Sequence, residues 1–303
     1  MIDSSKILTY ENKSNSFVDP SDRSNQNYLI WKAYHDESQK SKYNLQNTDN
    51  IVIFNTTNIG YNGKCFNYLN RFLSEWCCLV YPWLNNIKSN FIGFQHYKRY
   101  FNINKIDFEL LKDNTIQYFH SHFPNKTFFN YFTPTTDYLN IEAHAYFWNQ
   151  NECGFKDDLI EFLKVKYPKY LDGEKNQHEF YGYDIFVCNW EIYCQLAKFL
   201  FDYIEFINNK YNLEWSEIKW YSHIQNNFAR YILENNINIY KAGCMSPFYY
   251  GFDEALYSLD GYLYKGKSPC NCFRIYSMNI EYLTSVFIFN NKKYFDENNQ
   301  LKS

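Results

Sequence analysis

Residues 90–101 read NFIGFQHYKRYF, an apolar run that breaks off into side chains able to hold an anion. Phe91, Ile92, Gly93 and Phe94 have the length and character of a buried strand, and Gln95, His96, Tyr97, Lys98 and Arg99 follow at once. Ligands of open α/β sheets bind just beyond the carboxyl ends of the strands. A strand that stops there in donors and two cations would receive an anionic substrate; the plainer alternative is a solvated basic turn. Arg grips phosphate through two parallel hydrogen bonds and Lys acts as a point charge, so Lys98 and Arg99 suit a pyrophosphate. If the strand runs on past Phe94, His96 and Lys98 share one face and Tyr97 and Arg99 the other.

Other residues could supply acid–base chemistry. Asp184 precedes the apolar Ile185-Phe186-Val187. A carboxylate at the margin of a buried strand loses hydration, which raises its pKa and makes it a proton acceptor near neutrality. It would equally serve as a backbone cap. Glu75, between Ser74 and Trp76, is a lone charge among apolar neighbours, either paired or used. His120-x-His122 has the spacing of a strand-borne metal site, but no carboxylate or thiol stands near it in sequence to complete the set. There is no GxGxxG and no GxSxG, which excludes the usual dinucleotide and hydrolase signatures. There is also no Asp-x-Asp, the pair with which many nucleotide-sugar transferases hold Mn²⁺ or Mg²⁺. No metal ligand set is therefore expected, and Lys98 and Arg99 would replace the ion.

Elements that could position these residues alternate along the chain. Strands are expected over 28–34, 51–54, 91–94, 183–188 and 237–240. Helices are expected over 67–84, with Pro82 kinking or ending it, and over 107–113, 156–165, 191–208 and 217–233. Residues 286–295 read as a two-residue-turn hairpin. Alternating strands and helices imply an α/β fold with a largely parallel sheet. Residues 1–27 are polar and aperiodic, a mobile arm; 28–250 form one domain, and 251–303 an extension carrying the hairpin.

At 303 residues the chain can bury a conventional core. A net charge of −3 gives no global field to recruit nucleic acid or anionic lipid. Nine cysteines, odd in number and without a CxxC pair, suit buried free thiols in a reducing compartment. No apolar h-region opens the sequence and no run is long enough to span a bilayer, so a cytoplasmic protein is expected, in the host cytoplasm if viral. The aromatic fraction of 22% reflects AT-rich codons more than ligand stacking, and suggests a giant virus, a protist or a low-GC bacterium.

The residues also resemble a family, the bacterial glycosyltransferases of capsule and exopolysaccharide clusters long labelled as a domain of unknown function. Its most recognisable string, IGLCHYRRYF, is matched here by FIGFQHYKRYF at 91–101. Glu75 and Trp83 match its helix with Glu and Tyr-Trp-x-Trp, Tyr34-His35 its first strand end, and Tyr167-Pro168-Lys169-Tyr170 its Tyr-Pro-x-Tyr. The chain departs from it at Asp184, where the family has Asn, and at Asn226-Asn227, with Arg230 one turn later, where it has Glu-Arg. The loop before the Glu75 helix is also shorter.

The resemblance, over residues 28–240, implies a single GT-A-like domain with a mainly parallel central sheet flanked by helices. It implies a hexose transferred from a nucleotide-diphosphate sugar, UDP-linked in our reading, to a hydroxyl of a glycan or glycoprotein. Ala33, Tyr34 and His35 would meet the base or ribose, with Glu75, Gln95, His96 and Tyr97 completing the donor site. Lys98 and Arg99 would stabilise the diphosphate, and Asp184 would be the base of an inverting reaction. Mn²⁺ or Mg²⁺ is compatible with this reading but not required. The rival expectation is a non-catalytic glycan-binding or structural protein that keeps the transferase fold.

Overall fold

The computed structural model describes residues 9–10, 26–97, 101–113, 115–118, 123–127, 155–171, 179–180, 185–234, 275–291, 294–295 and 301–302. β1 (Thr9–Tyr10) pairs antiparallel with β4 (Gly63–Lys64), so part of the expected N-terminal arm is ordered against the domain. Among the described residues the main sheet has seven strands: β2 (Gln26–Tyr34), β3 (Ile51–Asn55), β5 (Ser89–His96), β6 (Ile116–Tyr118), β9 (Phe186–Asn189), β10 (Tyr294–Phe295) and β11 (Leu301–Lys302). Their order is β11-β10-β6-β9-β5-β2-β3. β2 lies parallel to both β3 and β5, and β10 parallel to β6. β9 runs antiparallel to β5 and β6, and β11 antiparallel to β10, so the sheet is mixed but mostly parallel. A separate pair joins β7 (Phe123–Thr127) to β8 (Glu179–Phe180).

The helices are α1 (Glu37–Lys42), α2 (Asn70–Leu73), α3 (Trp76–Leu84), α4 (Phe108–Leu111), α5 (Phe155–Lys166), α6 (Trp190–Lys210), α7 (Glu217–Glu234) and α8 (Ile275–Asn291). Strand parity decides which cover each face. Leu29, Trp31 and Ala33 of β2, with Ile92 and Phe94 of β5, enter a large core shared with α3, α5, α6 and α8. Ile30, Phe91 and Val187 face the other way, into a smaller cluster closed by Leu111 of α4. Gly93 lets the central strands close up: a Cβ there would lie 2.7 Å from Ile30 Cδ1 and 2.8 Å from Val187 Cγ2. No helix among the described residues is long and apolar enough to cross a membrane.

The outer margin of β3 is closed by its own surroundings. Ile51, Ile53 and Asn55 point their N–H groups away from β2. These donate to Thr48 Oγ1 at 3.1 Å, Asn47 Oδ1 at 2.8 Å and the Tyr61 hydroxyl at 2.6 Å.

Two elements differ from the sequence expectation. The helix expected over 67–84 is broken: a 3₁₀ turn (Asn67–Leu69) leads into α2, Ser74 turns the chain, and α3 starts afresh at Trp76. Pro82 does not end α3, because Tyr193 of α6 inserts its hydroxyl into the interrupted ladder. That hydroxyl donates to the Leu79 carbonyl at 2.7 Å and accepts from Trp83 N at 3.0 Å. The hairpin expected over 286–295 is instead the end of α8, followed by β10. Residues 282–288 are all buried there, so this helix has no polar face to give its sequence a 3.6-residue period. The strand expected over 237–240 lies outside the described residues.

Among the described cysteines, Cys65, Cys77, Cys78 and Cys188 are free and buried, and Cys194 is free and partly buried. Burial pushes the Cys65 thiol up to about 12 and Cys194 up to about 11, so neither is a ready nucleophile.

Candidate functional site

β2 and β5 are neighbours in register, with Ala33 opposite His96. His35 lies two residues beyond Ala33, so both imidazoles leave the sheet on the same side, that of α3. The third member comes from the start of that helix. Ser74 holds φ 51°, ψ −130°, a conformation L-residues rarely adopt, and this sharp turn leaves Glu75 at the N-cap of α3. Glu75 Oε2 accepts a hydrogen bond from the Ser74 hydroxyl. Its other oxygen faces the two rings: Oε1 lies 3.0 Å from His96 Nε2 and 4.0 Å from His35 Nδ1. The side chains of His35, Glu75 and His96 are 28%, 20% and 15% exposed, so the cluster sits at the rim of the sheet with partial access to solvent.

Packing fixes the rings. Tyr97 is buried against Tyr34, Leu45 and Ile53. It meets His35 edge-on at 5.1 Å between centroids and His96 at 4.2 Å, while Tyr43 backs it at 5.2 Å. The backbone N–H of His35 donates to Gln39 Oε1 at 3.1 Å, and Thr57 Oγ1 lies 3.3 Å from the His35 carbonyl. Next in the chain, Asp36 caps α1 by accepting from Ser38 N at 2.7 Å, and that interaction holds its carboxyl below the usual range.

Of the ten residues picked out by sequence, the structure thus gathers His35, Glu75, His96 and Tyr97. Ala33 and Tyr34 are buried in the core, so only His35 of that triplet presents its side chain at the surface. The Tyr34 hydroxyl donates to Glu37 Oε1 at 2.9 Å, an oxygen that also accepts from Asn55 Nδ2 at 2.9 Å. Gln95 points to the opposite face of the sheet, and its buried Oε1 makes no hydrogen bond among the described residues. Lys98, Arg99 and Asp184 lie outside the described residues. β5 does continue past Phe94, as far as His96.

Sequence reasoning put His35, Glu75 and His96 in one donor site with four other residues but did not single the three out as a cluster. The available signal was parity: two strands run into a histidine, His96 at the end of β5 and His35 just past the end of β2, on the same face. The Ser74 turn that brings in Glu75 carries no such mark.

Fold and site together define an α/β protein with a histidine–carboxylate cluster at the carboxyl ends of adjacent parallel strands. No protein-family model matches the chain, and no curated protein does. Among solved structures, the apo structure of WbbM, a bifunctional glycosyltransferase, is similar to it with a TM-score of 0.44 and 13% identity. That similarity covers 88% of this chain and 42% of WbbM, so the chain spans less than half the length of that structure.

Proposed function

We propose that the chain is a glycosyltransferase that moves a hexose from a nucleotide-diphosphate sugar, UDP-linked, to a glycan hydroxyl. The observation that carries this reading is the position of the His35–Glu75–His96 cluster. It stands at the carboxyl ends of β2 and β5, where open α/β sheets take their ligands. The FIGFQHYKRYF string supports it, since the cations that follow His96 in sequence suit a diphosphate.

In this reaction the acceptor oxygen attacks the anomeric carbon, the bond from that carbon to the diphosphate oxygen breaks, and the acceptor proton passes to a base. Negative charge builds on the leaving diphosphate, and preorganised positive groups there lower the barrier most. Lys98 and Arg99 fill that role, with His96 beside them in the chain. Asp184 is the base. It immediately precedes Ile185 and β9, and β9 starts at the rim where β5 finishes, with Phe186 opposite Phe94. A base on the side away from the leaving group makes the transfer inverting.

Incubation with a panel of UDP-hexoses and glycan acceptors should release UDP. Arg99→Ala should lower kcat by about 10²–10³ with the circular dichroism spectrum unchanged. Wild-type turnover in that variant would remove Arg99 from the mechanism. UDP binding by calorimetry with no release from any donor would favour the glycan-binding alternative, and no UDP binding would overturn the proposal.

A further inference from the structure

We propose that His35, Glu75 and His96 form a mononuclear site for a first-row divalent transition-metal ion. One ligand atom from each of the three lies within 4.8 Å of the others, and Glu75 Oε1 faces both His35 Nδ1 and His96 Nε2. Around an ion with bonds of about 2.1 Å, neighbouring ligand atoms stand roughly 3.0–3.4 Å apart, from octahedral to tetrahedral geometry. The Glu75–His96 separation of 3.0 Å already meets that spacing. The His35–Glu75 separation of 4.0 Å is too long for a hydrogen bond and would shorten by about 0.6 Å around a bound ion of tetrahedral geometry.

The surroundings also orient the set as metal ligands are oriented. The Ser74 hydroxyl occupies Oε2 of Glu75 and leaves Oε1 toward both imidazoles. Groups hydrogen-bonded behind a ligand in this way fix its direction and tune its basicity. Tyr97 braces both rings from one side. A structural Glu–His pair would account for the 3.0 Å contact alone. It would not account for a second imidazole turned toward the same oxygen from a neighbouring strand.

Two imidazoles and one carboxylate suit Zn²⁺, Mn²⁺, Co²⁺ or Fe²⁺ rather than Mg²⁺ or Ca²⁺, which prefer all-oxygen sets. Three protein ligands leave coordination positions open to water or substrate oxygen, the arrangement of a reactive site rather than a closed structural one. The site stands without the transferase reading, since its ligands and its test involve no sugar donor. It also departs from the sequence expectation that cations alone would meet a diphosphate.

The test is a Co²⁺ titration of the full chain, made without a histidine tag and stripped with chelator, followed by visible absorption. One equivalent should bind and give d–d bands, and Zn²⁺ should displace it while millimolar Mg²⁺ should not. Glu75→Gln, His35→Asn and His96→Asn should each weaken binding at least tenfold, checked for folding by circular dichroism. If one of them fails to fold, the other two carry the test. His122→Ala, in the His120-x-His122 pair singled out by sequence, should leave the titration unchanged. Absence of saturable binding, unaltered affinity in the folded variants, or loss in His122→Ala would overturn the site.

Discussion

Ser74 is a residue whose local discomfort serves its neighbour. Its backbone occupies a region that costs an L-residue on the order of 1–3 kcal/mol. In return the chain turns sharply enough to bring Glu75 to the rim of β5. A glycine would adopt this conformation freely but would remove the hydroxyl that occupies Glu75 Oε2. Ser74→Gly should therefore raise stability by about 1 kcal/mol in urea unfolding. The same variant should weaken Co²⁺ binding about tenfold, through loss of the group that orients the ligand. A variant that is less stable and binds the ion equally well would show that the turn is unstrained and the hydroxyl idle. At this scale the sequence was legible in residue type only. His35, Glu75 and His96 stood out as chemistry, but their meeting depends on a positive φ at a serine, which nothing in the string announces.

The elements carry their own repairs. Pro82 removes a backbone donor from the middle of α3 and should break it, yet the helix runs on to Leu84. The Tyr193 hydroxyl bridges the interrupted step by serving one donor and one acceptor, and it ties α3 to α6 across 110 residues of chain. Tyr193→Phe keeps the packing but leaves the Leu79 carbonyl and the Trp83 N–H without that partner. It should cost about 1–3 kcal/mol in urea unfolding, with little change in the slope of the transition. A loss below about 0.5 kcal/mol would mean that water replaces the hydroxyl. β2, β3, β5, α5, α6 and α7 were readable because each has an apolar period or a short apolar run bounded by polar residues. α8 was not. Its Val-Phe-Ile-Phe run has strand-like composition, and burial against α5 and α6 overrides that preference.

In the whole molecule, the helical layer is pinned by one buried carboxylate. Asp158 of α5 accepts from Lys210 at 2.8 Å and from the Tyr211 hydroxyl at 2.6 Å, both at the end of α6. The Tyr276 hydroxyl of α8 approaches it at 3.4 Å and is itself 2.8 Å from His223 of α7. Burial holds the Asp158 carboxyl above its ordinary 3.8 despite these partners. A raised carboxylate pKa favours the fold below the ordinary value, and that contribution is lost as pH climbs through the raised one. Lys210→Met leaves this charge without its cation and should destabilise by about 3 kcal/mol at pH 7. Removing the cation raises the carboxyl further, so the deficit should shrink as pH falls toward 5. Thermal unfolding of both proteins across pH 5–8 checks this, and a deficit that grows on acidification would refute it.

The finished margin of β3 bears on how copies of this chain can meet. Its three outward amides are already held by Asn47, Thr48 and Tyr61. A foreign β-segment arriving there would find no donor to zip onto. Strand addition of the kind that builds fibres or exchanges domains is disfavoured from that flank.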